Sequence, residues 1–188
     1  MSLTQYQKFD TELSETNDAM PFPFAVPRTL TSGDELYTQE LRWHSTIGDS
    51  ITYLVGAYYA HQDINITYDQ LEKLTGQIIT VSGTSENDTY AFFTNFDYQL
   101  NEQWSFSLGG RYNNEQESIE SNLDLSALFG SGSNVNIGQL QDDTSDDNFS
   151  FSFKTRYQFT DDLLYYFSID TAYKSSGYNP QVASLAEF

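Results

Sequence analysis

Aromatic side chains occupy nearly every second position of residues 148–160, NFSFSFKTRYQFT. The alternate positions carry Ser, Lys, Arg and Gln instead. Because successive side chains of a β-strand point to opposite faces, this pattern predicts a strand with one aromatic face and one polar face. Such an aromatic face is stable in only two settings, packed on a protein core or turned toward lipid. The aromatic positions are Phe149, Phe151, Phe153, Tyr157 and Phe159.

The same period of two recurs along the chain and predicts about seven strands with almost no helix. The last six form three pairs, joined by the tight turns TIGD, NEQ and TDD. No run of about 18 apolar residues is present, so no transmembrane helix is expected. The predicted strands cover residues 3–9, 35–45, 50–62, 89–100, 104–113, 148–160 and 163–173.

The connections between the pairs are much longer than the turns within them. They cover residues 11–34, 63–88 and 117–147, and each has roughly 25 to 30 residues, which is uncommon in compact domains. Short turns and long connections therefore alternate, with every tight turn at the same end. Outer-membrane β-barrels show this asymmetry, with short periplasmic turns and long extracellular loops. The paired strands also reach the roughly 9 to 11 residues that a tilted strand needs to cross the hydrocarbon.

The basic residues of these strands test the membrane interpretation. Arg111, Lys154 and Arg156 all have the parity opposite to the aromatic residues. A basic side chain on the lipid face costs roughly 2–4 kcal/mol at the bilayer midplane, so we expect these three to face a wet lumen. Aromatic residues near the strand ends are candidates for interfacial girdles. They are Trp43, Trp104, Tyr112, Tyr165 and Tyr173.

Charge and composition exclude several classes of function. The formal net charge is −19, from 8 basic and 27 acidic side chains, which leaves no basic surface for nucleic acid. The 14 Tyr, 14 Phe and 2 Trp are more aromatic residues than disordered chains carry. Cysteine is absent, so neither a disulfide nor a thiolate metal site can form within this sequence.

No catalytic site, cofactor or metal site is predicted. His44 and His61 show no zinc-binding spacing, and no nucleophile elbow is present. The acidic pairs at residues 142–143 and 146–147 offer oxygen ligands of the kind that Ca²⁺ prefers, but they lack EF-hand spacing. We therefore interpret them as a solvated acidic loop.

Three stretches resemble the barrel of TonB-dependent outer-membrane receptors. ELYTQELRWHS at residues 35–45 is followed by ITYLVGAYYAHQ, as two successive strands of that family are. YQFTDDLLYYFSIDTAYKSSGYNP at residues 157–180 resembles a later hairpin, with Ala172 and Ser176 where glycines are usual. The resemblance implies an all-β fold: an antiparallel transmembrane β-barrel segment with short periplasmic turns and long extracellular loops.

The resemblance also implies a transport function in the bacterial outer membrane. Residues 1–188 would be part of a barrel domain of about 22 strands, incomplete at both ends, without the family's plug domain or a signal peptide. The implied partners are outer-membrane lipid, the TonB complex through the missing plug, and a small-molecule ligand such as a metal chelate, most often an iron–siderophore complex. Aromatic residues of the long connections are candidate ligand contacts, namely Phe22, Phe24 and Phe129.

Two alternatives remain open at the level of the sequence. One is a self-contained small outer-membrane barrel, and the other is a soluble β-sandwich that binds a ligand. Both produce alternating strands, and in the sandwich the polar face would meet solvent while the aromatic face is buried between two sheets.

Overall fold

A computed structural model describes residues 1–16, 27–72, 77–124 and 136–175. These residues form one antiparallel sheet of seven strands in chain order, so the all-β prediction is confirmed. No second sheet covers this one in the described ranges, as a β-sandwich would require. The strands are β1 (Ser2–Thr16), β2 (Pro27–Ile47), β3 (Ile51–Glu72), β4 (Gln77–Gln99), β5 (Trp104–Asp124), β6 (Asn136–Thr160) and β7 (Leu163–Asp170).

The strands are longer than the sequence predicts, and the connections are correspondingly shorter. β3 continues to Glu72 and β4 begins at Gln77, so most of residues 63–88 is paired strand rather than loop. The same is true of residues 11–34 and 117–147, where strands extend from both sides. The physical reason is that polar Ser, Thr, Asn and Asp side chains do not prevent backbone pairing once neighbouring strands hold the register.

The tight turns all lie at one end of the sheet, as predicted. Gly48 in the β2–β3 turn has φ of 61°, a left-handed conformation that glycine adopts without strain. In the β4–β5 turn, the side-chain oxygen of Asn101 accepts hydrogen bonds from the backbone N–H groups of Gln103 and Trp104, at 2.9 and 2.8 Å. This is an Asx turn, which fixes the hairpin locally. The described residues contain no candidate membrane-spanning helix.

Burial distinguishes the two faces of this single-layer sheet. The buried side chains are Ala60, Ala91, Ile119, Ser85 and Ser121, and the strand register places all of them on one face. Among the described residues no other layer packs on this sheet, so side chains on one face become buried only when they crowd against each other. Curvature of the sheet toward that face produces such crowding. We infer from this burial that the sheet is concave on this side, which we call the inner face, and we call the opposite side the outer face.

One glycine on the inner face permits a close contact between β3 and β4. Gly56 and Phe93 are direct cross-strand partners, and the Phe93 ring packs over the Gly56 backbone. A Cβ atom at position 56 would lie 2.2 Å from Cζ of Phe93. The ring also lies 5.7 Å from the guanidinium carbon of Arg111, so it is confined on both sides.

We expect Gly56→Ala to destabilise the folded protein by about 1–3 kcal/mol, because the confined ring must move to admit the methyl group. Gly33→Ala is the matched control, since the added Cβ would meet only Asp10 Oδ1 at 3.5 Å, an ordinary contact. Urea unfolding of both variants in lipid measures the difference. Equal stability of the two variants would contradict the described packing of Phe93.

Candidate functional site

An apolar band covers the outer face next to the tight turns. It comprises the outer-face side chains of residues 37–47, 51–59, 90–98, 104–112, 149–159 and 163–169, and none of them is charged. Many are large and exposed; Trp43, Phe92 and Phe149 are 69%, 65% and 66% exposed. On β2 to β6 the band is 9 to 11 residues long, about the length that a tilted strand needs to cross the hydrocarbon, and on β7 it is shorter.

Aromatic rings cluster at both ends of this band. At the tight-turn end, the ring centroids of Trp104 and Tyr157 are 4.5 Å apart. At the far end, Tyr59 lies 6.3 Å from Tyr37 and 5.1 Å from Tyr90. Two rows of rings flanking an apolar belt are the arrangement found at the two interfaces of membrane β-barrels.

The predicted girdle residues are distributed over both rows. Trp104 and Tyr165 lie at the tight-turn end, and Tyr112 lies near the far end. Trp43 lies between the rows in the register, opposite Val55, and Tyr173 follows the end of β7. The far row of Tyr37, Tyr59 and Tyr90 was not predicted, although its members end the apolar alternation of their strands.

The inner face behind the band is polar. Ser107 Oγ donates a hydrogen bond to Asp97 Oδ1 at 2.6 Å, and Lys154 Nζ lies 3.8 Å from Asp170 Oδ1. Together with Arg156, these residues line an open groove of about 640 Å³ near the tight turns. The structure thus brings Lys154 and Arg156 together on one surface.

Arg111 lies on the same inner face but in different surroundings. Its guanidinium carbon is 5.6 Å from the ring centroid of Tyr58 and 5.7 Å from that of Phe93, which are cation–π distances. Its Nε donates a hydrogen bond to Asn113 Oδ1 at 2.7 Å. These contacts hold the side chain against the wall, in contrast to the more open positions of Lys154 and Arg156.

The other residues singled out in the sequence have different outcomes. Phe22, Phe24 and Phe129 lie outside the described residues.

The acidic pairs 142–143 and 146–147 lie in β6 rather than in a loop, so the loop interpretation was wrong. Adjacent carboxylates of a strand point to opposite faces and cannot share one cation. Among the described residues, no cluster of His, Asp and Glu is suited to hold a metal ion.

Beyond the far end of the band, the apolar side chains change face. On β3 the outer face carries Tyr59 and then His61, whereas the apolar side chains that follow lie on the inner face. The same change occurs on β2, β4 and β5. The resulting inner apolar patch consists of Leu30, Ile64, Ile66, Tyr68, Val81 and Ile119. Its β3 members, Ile64, Ile66 and Tyr68, appear in the sequence as the alternation DINITYD. That alternation lies inside a stretch that was predicted to be loop.

A polar cluster lies on the outer face just beyond the band. His61 Nδ1 is 3.0 Å from Asp88 Oδ1, and His61 Nε2 is 3.4 Å from Asp63 Oδ2. Asp88 also accepts a hydrogen bond from the Tyr59 hydroxyl at 2.8 Å. The hydrogen bond with Asp88 raises the pKa of His61; partial burial opposes this, and the negative charge of Asp63 adds to it.

We expect Asp88→Asn to move the pKa of His61 back toward its ordinary value of about 6.5, and Asp63→Asn to do so less. Because the folded-state pKa is raised, the interaction stabilises the fold fully below the unfolded-state pKa. That stabilisation is lost as the pH rises through the folded-state pKa. NMR titration of the His61 ring, assigned with His61→Gln, measures both shifts. An unchanged pKa in Asp88→Asn would refute the described pairing.

Comparison with known proteins identifies a β-barrel family whose fold agrees with this arrangement. The family model described as TonB dependent receptor-like, beta-barrel matches residues 2–187. The solved structure of FyuA, the ferric yersiniabactin uptake receptor of Yersinia pestis, is similar with a TM-score of 0.75 at 18% identity, over 95% of this chain and 26% of that one.

A second similar structure is the open form of Fiu, the ferric-catecholate import receptor of E. coli K12. Its TM-score is 0.56 at 12% identity, over 90% of this chain and 32% of that one. At these identities the two structures establish the fold. The chain spans 26% and 32% of the length of these two receptors.

Proposed function

Because the chain belongs to the TonB-dependent receptor-like β-barrel family, whose barrels lie in the bacterial outer membrane, we propose that it forms part of the wall of an uptake receptor. The family consists of receptors and transporters rather than enzymes, and we propose no catalytic role for this chain. The proposed ligand is an iron–siderophore complex. Both similar structures are receptors for ferric complexes, which supports this choice.

The observation that carries the proposal is the separation of the two faces within the band. Six strand segments present an uncharged, largely aromatic surface outward, while the inner face holds Asp97, Arg111, Lys154 and Arg156. A water-filled or plugged lumen requires polar side chains, and lipid requires apolar ones. We therefore assign the outer band to lipid and these charged side chains to the lumen.

The remaining partners follow from this assignment. We propose that residues 1–188 are one part of a barrel domain, incomplete at both ends, in which the free edges of β1 and β7 pair with further strands, since open edges are not stable in lipid. The polar groove with Lys154 and Arg156 would then face a plug domain in the lumen. Energy for uptake would reach the ligand from the TonB complex through that plug.

Uptake of iron by the receptor that contains this segment tests the function. Cells that depend on this receptor should take up radioactive iron from a ferric siderophore, and deletion of either the receptor or the TonB complex should abolish that uptake. Unchanged uptake after deletion of the receptor, for each of a hydroxamate, a catecholate and a mixed siderophore, would contradict the proposal.

Alanine substitutions test the proposed ligand contacts in the long connections. Phe22→Ala, Phe24→Ala and Phe129→Ala should each weaken ligand binding by about tenfold if the ring is a binding hot spot. Phe167→Ala is the matched control, because it removes an aromatic ring from the apolar band. Equal effects of Phe167→Ala and of the three other variants would contradict the assignment of Phe22, Phe24 and Phe129 as ligand contacts.

A further inference from the structure

The inner apolar patch is not explained by the need to form a barrel. Beyond the band, the outer face of β3 carries Asp63, Asn65 and Thr67, which suits water on that side. The inner face at the same level carries Ile64, Ile66 and Tyr68, which remain half-buried rather than buried. An apolar surface on the inside of a wall that is surrounded by water has no lipid to meet. It is therefore available to a molecule that enters the barrel from the end opposite the tight turns.

The register makes the patch continuous across four strands. Leu30 on β2 opposes Tyr68 on β3, which in turn opposes Val81 on β4. In a parallel row, Ile64 opposes Ser85, which opposes Ile119 on β5. Only Ile119 is fully buried, at 2% exposure, so the other apolar side chains of the patch retain accessible surface.

Charge on the inner face around the patch is predominantly negative. Asp34 accepts two hydrogen bonds from Gln62, at 3.0 and 3.1 Å, and Glu117 accepts one from Ser85 at 3.1 Å. The basic group that the structure describes on this part of the inner face, Arg28, lies with its guanidinium carbon 5.9 Å from the Tyr68 ring centroid. The carboxylates that share the inner face with the patch are Asp34, Glu115, Glu117, Asp142 and Asp146.

An acidic wall disfavours an anionic ligand and attracts a cationic one, because the walls of a cleft focus the field of their charges. We propose that the inner apolar patch and these carboxylates select a ligand that has an apolar surface and a net positive charge. This inference rests on the proposed uptake function and narrows it to a class of chelate. Anionic chelates are the class that the wall discriminates against.

Three ferric trihydroxamate complexes that differ only in one terminal group test the selection. A free amine gives a cationic complex, its acetyl derivative a neutral one, and its succinyl derivative an anionic one. Binding to the full-length receptor in lipid nanodiscs is measured at low and high salt. We expect the cationic complex to bind at least about tenfold more tightly than the anionic one, with a preference that decreases as salt screens the charges.

Matched charge variants locate the origin of this preference. The triple variant Glu115→Gln, Glu117→Gln and Asp142→Asn removes inner carboxylates and should reduce the preference to within about threefold. The control triple variant removes the same number of carboxylates from the outer face of the same region, so it should keep the wild-type preference. Its substitutions are Glu86→Gln, Glu120→Gln and Asp143→Asn.

A second pair of variants tests the apolar patch itself. Ile66→Ser should weaken binding of all three complexes by about tenfold, whereas Thr67→Ser on the outer face should leave it unchanged. Correct assembly of each variant is checked by its heat-modifiable mobility in electrophoresis. If Ile66→Ser lowers stability and leaves binding intact, other parts of the receptor cover the patch and the inference fails.

The outcomes separate this inference from the function on which it rests. Equal or tighter binding of the anionic complex overturns the charge selection and leaves iron-chelate uptake standing. Binding of none of the three complexes overturns this inference, and the uptake assay with the catecholate and mixed siderophores then decides separately whether the receptor takes up iron chelates.

Discussion

Leu108→Arg is expected to destabilise the barrel by about 2–4 kcal/mol. Leu108 lies on the outer face at the centre of residues 104–112, the part of the apolar band that β5 contributes, and it is 55% exposed. A charged side chain at this depth must reach an interface or draw water into the hydrocarbon. The penalty is greatest at the bilayer midplane and falls toward either interface.

Ser107→Arg is the matched control on the neighbouring position of the same strand. Ser107 is on the inner face, where its Oγ donates a hydrogen bond to Asp97 Oδ1 at 2.6 Å, so an arginine there meets a carboxylate and water. Urea unfolding of the full-length receptor in liposomes compares the two variants. Similar losses of unfolding free energy at both positions would show that β5 has no lipid-facing side.

Ile119→Ala is expected to lower the local stability of the β4–β5 extension by about 2–5 kcal/mol. Ile119 is 2% exposed, and it is the large hydrophobic side chain that the described residues bury most completely. It lies beyond the band, where the outer face of β5 carries polar side chains. Burial at this level must therefore come from crowding on the inner face, and removal of the side chain leaves a cavity that the extended strands fill poorly.

Ser118→Ala provides the comparison, because Ser118 is adjacent on β5 and has the outer-face parity. Hydrogen exchange of the backbone amides in residues 115–121 measures the local opening free energy of both variants. We expect a large loss of protection for Ile119→Ala and little change for Ser118→Ala. Comparable losses would mean that the inner and outer faces have been assigned incorrectly in this region.

The faces of the band could be predicted from sequence because lipid penalises charge so steeply. The positions of Arg111, Lys154 and Arg156 on the inner face follow from parity alone, once the tight turns fix the hairpins. The number and order of the strands followed from the same alternation.

The ends of the strands could not be predicted in this way. Ile64, Ile66 and Tyr68 keep the period of two but have the opposite parity to Ile51 and Tyr59. A prediction that follows a single apolar face therefore ends the strand too early. The change of parity has a physical meaning. Under the proposed assignment of the outer band to lipid, it marks the level at which the outside of the wall changes from lipid to water.

Contacts between strands could not be predicted from the sequence either. Parity assigns Phe93 and Arg111 to one face, but only the register places the Phe93 ring over Gly56 and the Arg111 guanidinium beside Tyr58. Such contacts depend on which residues oppose each other across strands that are far apart in the chain. The candidate ligand contacts Phe22, Phe24 and Phe129 lie outside the described residues, so they stay predictions.

Spin-label accessibility along β5 tests the central claim, that one face of the wall meets lipid and the other meets water. The chain has no cysteine, so single cysteines introduced from residue 104 to 120 add the only labelled site within this segment. We predict that oxygen accessibility is highest at even positions from 104 to 112, that accessibility to a water-soluble nickel reagent is highest at the odd positions between them, and that the oxygen maxima end beyond residue 112. Oxygen maxima at the odd positions, or no alternation at all, would contradict the account.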